Sequence, residues 1–217
     1  IWDYEFDLPL DNLFNELIDF WEIAFPNLNF SKEKVSNDLN EFLVQRILSH
    51  LEEISLGKEL IKAVCSSDEF YQKRILNIVD LKNRIKSIIN FKEKKTFFEI
   101  QKVITRVSKL ANNSTLSIDV FSTEDYVNTK LFEKECELKV FEFIRELEKH
   151  FSTGYCNYLE LLNLFEIKIN TIEELFDNEK GVLIMSEDIK IRNNRLNLLS
   201  LIRNYSLKIA DFTLLNS

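Results

Sequence analysis

Six cations at helical spacings carry the chemistry this sequence offers. Lys102, Arg106 and Lys109 follow one another at intervals of four and three, which places them near one side of a helix. Arg192, Arg195 and Arg203 run beside an apolar stripe formed by Ile191, Leu198, Ile202, Tyr205, Ile209 and Phe212. At about 100° per residue these arginines occupy one flank of that helix, spanning roughly 80°. Lysine and arginine in such rows hold phosphate oxygens. Arg195 lies closest to the apolar stripe, so a packed ion pair or a helix cap suits it as well as contact with an anion.

The charge map singles out the same regions. The chain of 217 residues has a net charge of −8, which argues mildly against a nucleic-acid partner. Its distribution is uneven. Residues 71–110 hold eleven basic and three acidic side chains, and residues 180–217 hold six and three. The other two blocks, 1–70 and 111–179, each carry fifteen acidic groups against five and six basic ones. A basic stripe on an acidic body is the electrostatic footprint of nucleic-acid binding, and solvated helix faces are the alternative.

Other chemistry is poorly represented. His50 and His150 have no partner at metal-ligand spacing. With three glycines, the chain holds no phosphate-binding loop, dinucleotide fingerprint or nucleophile elbow. The adjacent acidic pairs Glu52/Glu53 and Glu173/Glu174 point in different directions on their helices. Cys65, Cys136 and Cys156 form no CxxC spacing, which suggests a reducing, cytoplasmic setting without a disulfide framework. No apolar run approaches membrane-spanning length. These features describe a binding or scaffolding unit, and the start at Ile1-Trp2-Asp3 reads as a piece of a longer protein.

The elements that must position the cations are helices. A 45% hydrophobic content supports a sizeable core, and the three Gly and two Pro all fall between periodic segments. The 3.6-residue periods predict an all-α protein with helices near 10–24, 34–54, 58–65, 68–90, 96–110, 128–150 and 156–177, and a closing helix capped by Ser186. Ser66 to Glu69 is a cap signal for the fourth, and 118–126 suits an ordered loop.

The closing stretch also resembles a known family. Leu175-Phe176-Asp177, Val182, Ile184-Met185, Asp188, Arg192, Asn194-Arg195-Leu196, Leu198-Leu199, Ile202 and Ala210-Asp211-Phe212 are similar to the C-terminal signature of the glycyl-tRNA synthetase β subunit, in its cyanobacterial and plastid form. Upstream, Ile1-Trp2 with Asp7-Leu8-Pro9-Leu10 resembles the segment after that family's phosphohydrolase-like domain. Phe42-Leu43-Val44-Gln45-Arg46-Ile47, Arg106-Val107-Ser108 and Leu131-Phe132-Glu133-Lys134 resemble further family segments. The similarity covers essentially the whole chain. It implies a DALR-type helical bundle that binds the anticodon of glycine tRNA over 67–217, preceded by a helical connector over 1–66. It also implies a catalytic α subunit as partner in an α2β2 class II ligase. That α subunit uses ATP and Mg²⁺, and this part needs no cofactor. Lys102, Arg106, Lys109, Arg192, Arg195 and Arg203 are then the candidate tRNA contacts. The family often has Asn-Lys-Arg where this chain has Ile104-Thr105-Arg106, so the lysine is absent here. Two other readings stay open, an arginyl-type anticodon domain and a non-catalytic helical adaptor that binds proteins through its phenylalanines.

Overall fold

The computed structural model describes residues 2–8, 10–65, 75–152 and 157–215. Among these residues the chain forms eight α-helices and no strand, as its composition and periodicity led one to expect. They are α1 (Leu10–Ala24), α2 (Lys32–Glu53), α3 (Lys58–Val64), α4 (Ile78–Lys92), α5 (Thr96–Ala111), α6 (Glu135–Phe151), α7 (Tyr158–Glu174) and α8 (Ile189–Leu207). Single turns of 3₁₀ helix occur at Thr129–Leu131 and Phe212–Leu214. The chain divides into two compact units, Ile1–Lys86 and Ser87–Ser217. The division expected at residues 66 and 67 falls outside the described residues.

In the first unit α1 packs on α2, and α2 on α3. Ser31 opens α2 by accepting a hydrogen bond from the Lys34 N–H. Leu51, Ala63, Val64 and Leu81 are buried in this unit. Arg84 is buried too, with Nε on Asp80 at 2.9 Å and Nη1 on the Val64 carbonyl at 2.9 Å. The helix expected over 68–90 is interrupted at Leu76 and Asn77 and resumes at Ile78, where the Asn77 side chain accepts from the Asp80 N–H at 2.9 Å. Asp68 to Arg74 lie outside the described residues. On α1 the apolar side chains of Leu13, Leu17, Phe20, Trp21 and Ile23 are exposed.

The second unit is a bundle of four helices, in which α5 and α6 each pack against α7 and α8. Ile100, Ile104 and Val107 from α5 are fully buried, as are Val140, Phe143 and Ile144 from α6. Leu161, Phe165 and Ile172 from α7 and Leu199 and Ile202 from α8 complete this core. The helix expected to begin at Asn128 is interrupted. A 3₁₀ turn occupies 129–131, and α6 starts at Glu135, where the Glu137 carboxylate accepts from the N–H groups of Glu133 and Lys134. Asp188, not Ser186, caps α8. Its carboxylate accepts from Lys190 N–H at 2.7 Å and Ile191 N–H at 3.2 Å, and negative charge there complements the helix dipole.

The sequence reads α8 as a helix with one apolar face. The structure buries nearly every side chain from Asn194 to Ser206, polar ones included. The covering on the polar side is the irregular segment 112–128. Backbone carbonyls in a covered segment need donors, and α8 supplies them. Arg203 donates to Ala111 and Leu116 carbonyls, Asn204 to those of Ser117 and Val120, Tyr205 to Phe121, Asn197 to Tyr126, and Asn194 to Asn128. The loop expected at 118–126 is thus ordered by side chains of the closing helix.

Candidate nucleic-acid interface

The outward face of α5 carries Phe98, Lys102, Thr105, Arg106 and Lys109. All but the half-buried Thr105 are exposed. Their spacing keeps them on one side because Phe97, Ile100, Val103, Ile104 and Val107 turn the other side into the core. Together with Gln101, Leu110, Thr213 and Leu215 they line a groove of about 720 Å³. Gln101 and Thr105 fix one wall, donating to the carbonyls of Leu215 and Phe212 respectively. Among the described residues no carboxylate lines this groove. Lys102 and Lys109 have no side-chain partner among the described residues. The Arg106 guanidinium lies 4.1 Å from the centre of the Phe176 ring, a cation–π contact that steadies it and leaves its hydrogen-bond donors in the plane available.

Arg106 also lines a second groove of about 720 Å³, formed with Glu133, Lys134, Phe176, the 181–186 segment and Arg195. Gly181 is required in that segment. A Cβ at this position would lie 2.6 Å from Asp177 N and Leu175 O, and closer still to Asp177 O. Arg195 forms the buried floor. Its Nε donates to Glu137 at 2.8 Å, one Nη to Glu133 at 2.6 Å, and the other Nη to the Leu183 carbonyl at 3.0 Å. Burial works against the arginine's charge, but the hydrogen bonds to Glu137 and Glu133 together raise its pKa. Its charge is therefore spent inside the protein. Glu133 and Asp177 make this second groove less attractive to an anion than the first.

The structure thus brings Lys102, Arg106 and Lys109 into one groove, and places Arg195 beside it through Arg106. Arg192 is half-buried, with Nη1 3.4 Å from the Ser186 carbonyl at the edge of the second groove. Arg203 is not brought to either groove. It is 8% exposed, bonded to Asn204 Oδ1 at 3.1 and 3.0 Å and to two carbonyls, and burial lowers its pKa. The expected exposed arginine edge is corrected at this position, because the 112–128 segment covers it.

The wider basic run also divides. Lys82 and Lys86 pair with Glu5, Arg84 with Asp80, and Lys94 with Glu166. Lys73 and Arg74 lie outside the described residues. Two ring-bearing residues were missed in the sequence. Phe98, four residues before Lys102, shares its face, a signal hidden by the neighbouring core residue Phe97. Phe176 meets Arg106 only through the fold. Among the described residues no cluster of three or more His, Cys, Asp or Glu is placed to hold a metal ion, and no helix is long and apolar enough to cross a membrane.

No protein-family model matches the chain. Curated relatives do. The chain is 26% identical over 211 residues to the glycine–tRNA ligase β subunit of Gloeothece citriformis, covering 95% of this chain and 29% of that protein. It is 29% identical over 211 residues to that of Trichodesmium erythraeum, with the same two coverages. It is 30% identical over 196 residues to that of Persephonella marina, covering 89% and 24%. In class, then, this all-α chain is similar over nearly its whole length to part of an aminoacyl-tRNA synthetase. The particular resemblance is to the glycine–tRNA ligase β subunit, as its closing residues had indicated. The chain spans about 30% of the length of the first of these relatives.

Proposed function

We propose that this chain binds the anticodon region of glycine tRNA as the C-terminal part of a glycine–tRNA ligase β subunit. The observation that carries the reading is the groove on α5, free of carboxylates among the described residues, where Lys102, Arg106 and Lys109 converge with an exposed phenylalanine. Single-stranded RNA is held by this combination. Cations follow the backbone, and aromatic faces take unstacked bases. In this reading Lys102 and Lys109 contact phosphates, Phe98 stacks on a base, and Arg106 is aimed by Phe176 at a phosphate or a base edge. Arg192 extends the surface along α8. Arg195 and Arg203 fix α8 and the segments packed on it.

The same reading makes residues 67–217 a DALR-type anticodon domain and residues 1–66 a helical connector. Within it, the chemistry of glycine activation, with ATP and Mg²⁺, belongs to a separate α subunit in an α2β2 class II enzyme, and this part contributes no catalytic group. The test is the affinity for glycine tRNA as a function of salt. Replacing Lys102 and Lys109 together by alanine is expected to lower the slope of log K against log salt by about 1.4, at the single-strand value of roughly 0.7 per phosphate contact. An unchanged slope and affinity would refute the assignment.

A second reading, a helical surface for protein contact, is favoured by one observation in the first unit. Leu13, Leu17, Phe20 and Trp21 of α1 are all exposed. A pull-down with the α subunit, with Trp21→Ser beside wild type, tests it.

A further inference from the structure

A third groove, of about 480 Å³, lies against the start of α8. Its walls are the 125–131 segment and the α8 residues Lys190, Asn193, Asn194 and Asn197. At 100° per residue these α8 positions point roughly opposite to Arg192 and Arg195, so this groove is separate from the one floored by Arg195.

The frame of the groove is fixed by asparagines. Asn194 Oδ1 accepts from the Asn128 N–H at 2.7 Å, and its Nδ2 donates to the Asn128 carbonyl at 3.1 Å. Asn197 Nδ2 donates to the Tyr126 carbonyl at 2.8 Å, and its Oδ1 accepts from Ser114 Oγ at 3.2 Å. These bonds engage both ends of the Asn194 and Asn197 amides and hold the opposite wall in place.

Four other side chains in the groove have no such employment. Tyr126 is 42% exposed. Asn193, Lys130 and Lys190 are exposed, and none of their side chains has a partner among the described residues. Among the described residues Asp125 supplies the one carboxylate of the lining, against two ammoniums. An aromatic ring offers a face for stacking, and a free carboxamide offers a donor and an acceptor side by side for a base edge. Two ammoniums suit a phosphate on either side. An acidic peptide would use the lysines and leave the ring and the amide idle.

We propose that this groove is a second nucleotide subsite, taking an unpaired nucleotide of the RNA at a place distinct from the α5 groove. Tyr126 stacks on its base, Asn193 reads the base edge, and Lys130 and Lys190 hold its phosphates. The inference rests on the RNA-binding function proposed above, and the test separates the two.

Glycine tRNA affinity is measured across a salt series for the wild-type protein and three variants. These are Tyr126→Ala, the double variant Lys130→Ala/Lys190→Ala, and the double variant Lys102→Ala/Arg106→Ala. The two lysines make no bond in the frame, so thermal melting of their double variant is expected to match wild type. Loss of both phosphate contacts should lower the salt slope by about 1.4, at the single-strand value of roughly 0.7 per contact. Tyr126→Ala should weaken binding on the order of tenfold.

Unchanged affinity in both groove variants, with weakened binding in the α5 variant, would overturn the second subsite and leave the function standing. Weakened binding in the groove variants alone would support the subsite and overturn the α5 assignment. No RNA binding by any form would overturn both. Binding of a glutamate-rich peptide in place of RNA, lost in the Lys130→Ala/Lys190→Ala variant, would overturn the subsite in favour of a protein partner.

Discussion

Arg195 and Arg192 are three residues apart on α8, yet they are held in different ways. Arg195 is 3% exposed and faces a Glu137 side chain with no exposure at all. Removing it leaves a buried carboxylate that also holds the N–H groups of Glu133 and Lys134. Arg195→Ala is therefore expected to cost roughly 3–5 kcal/mol in urea unfolding. Arg192, half-buried with one long bond, should cost less than about 1 kcal/mol when replaced by alanine. Equal losses for the two would contradict the division of roles.

Gly181 makes a similar point without charge. Backbone atoms occupy the space that a Cβ would need, so Gly181→Ala should destabilise by roughly 1–3 kcal/mol and displace the 181–186 wall. Glu166 is one carboxylate with a pH signature. Hydrogen bonds from Lys94 and Thr96 lower its pKa below the ordinary 4.5. The stability it confers is complete above that ordinary value and is lost as pH falls through the lower folded one. The difference in unfolding midpoint between wild type and Glu166→Gln, present at pH 6, should therefore close on acidification past 4.5. It should be no larger than about 1 kcal/mol, because the pair is partly solvated.

Helix α8 is the element on which the second unit turns. Its outer side chains act as a row of donors for the carbonyls of 112–128. Tyr205→Phe should cost about 1 kcal/mol, and Asn204→Ala about 1–3 kcal/mol because two carbonyls lose their donor. Limited proteolysis should then cut Asn204→Ala within 112–128 faster than wild type.

The row Lys102, Arg106 and Lys109 was legible in the sequence because helical spacing alone puts the three together. The helical class was legible for the same reason. Arg203 was not, since its partners are carbonyls of a segment with no periodicity of its own. Periodicity also gives no measure of how much of a helix is covered, so α8 read as half-exposed when it is almost enclosed. The break before α6 escaped notice because the Glu137 cap looks like any acidic helix start.

At the scale of the whole molecule, the net charge of −8 conceals the organisation that matters. Many cations of the basic run are neutralised by nearby carboxylates. Those left over on α5 line a groove with no carboxylate among the described residues, Phe98 gives that groove an aromatic face, and Phe176 stacks on its Arg106 from the neighbouring groove. The relatives, named as glycine–tRNA ligase β subunits, supply the RNA to test against it.

The measurement that bears most directly on this is hydroxyl-radical footprinting of glycine tRNA, with wild-type protein and with Lys102→Ala/Arg106→Ala side by side. Protection of the anticodon loop by wild type, lost in the variant while its melting temperature is unchanged, is the expected result. Protection confined to other parts of the tRNA, or an anticodon footprint that the variant retains in full, would contradict it.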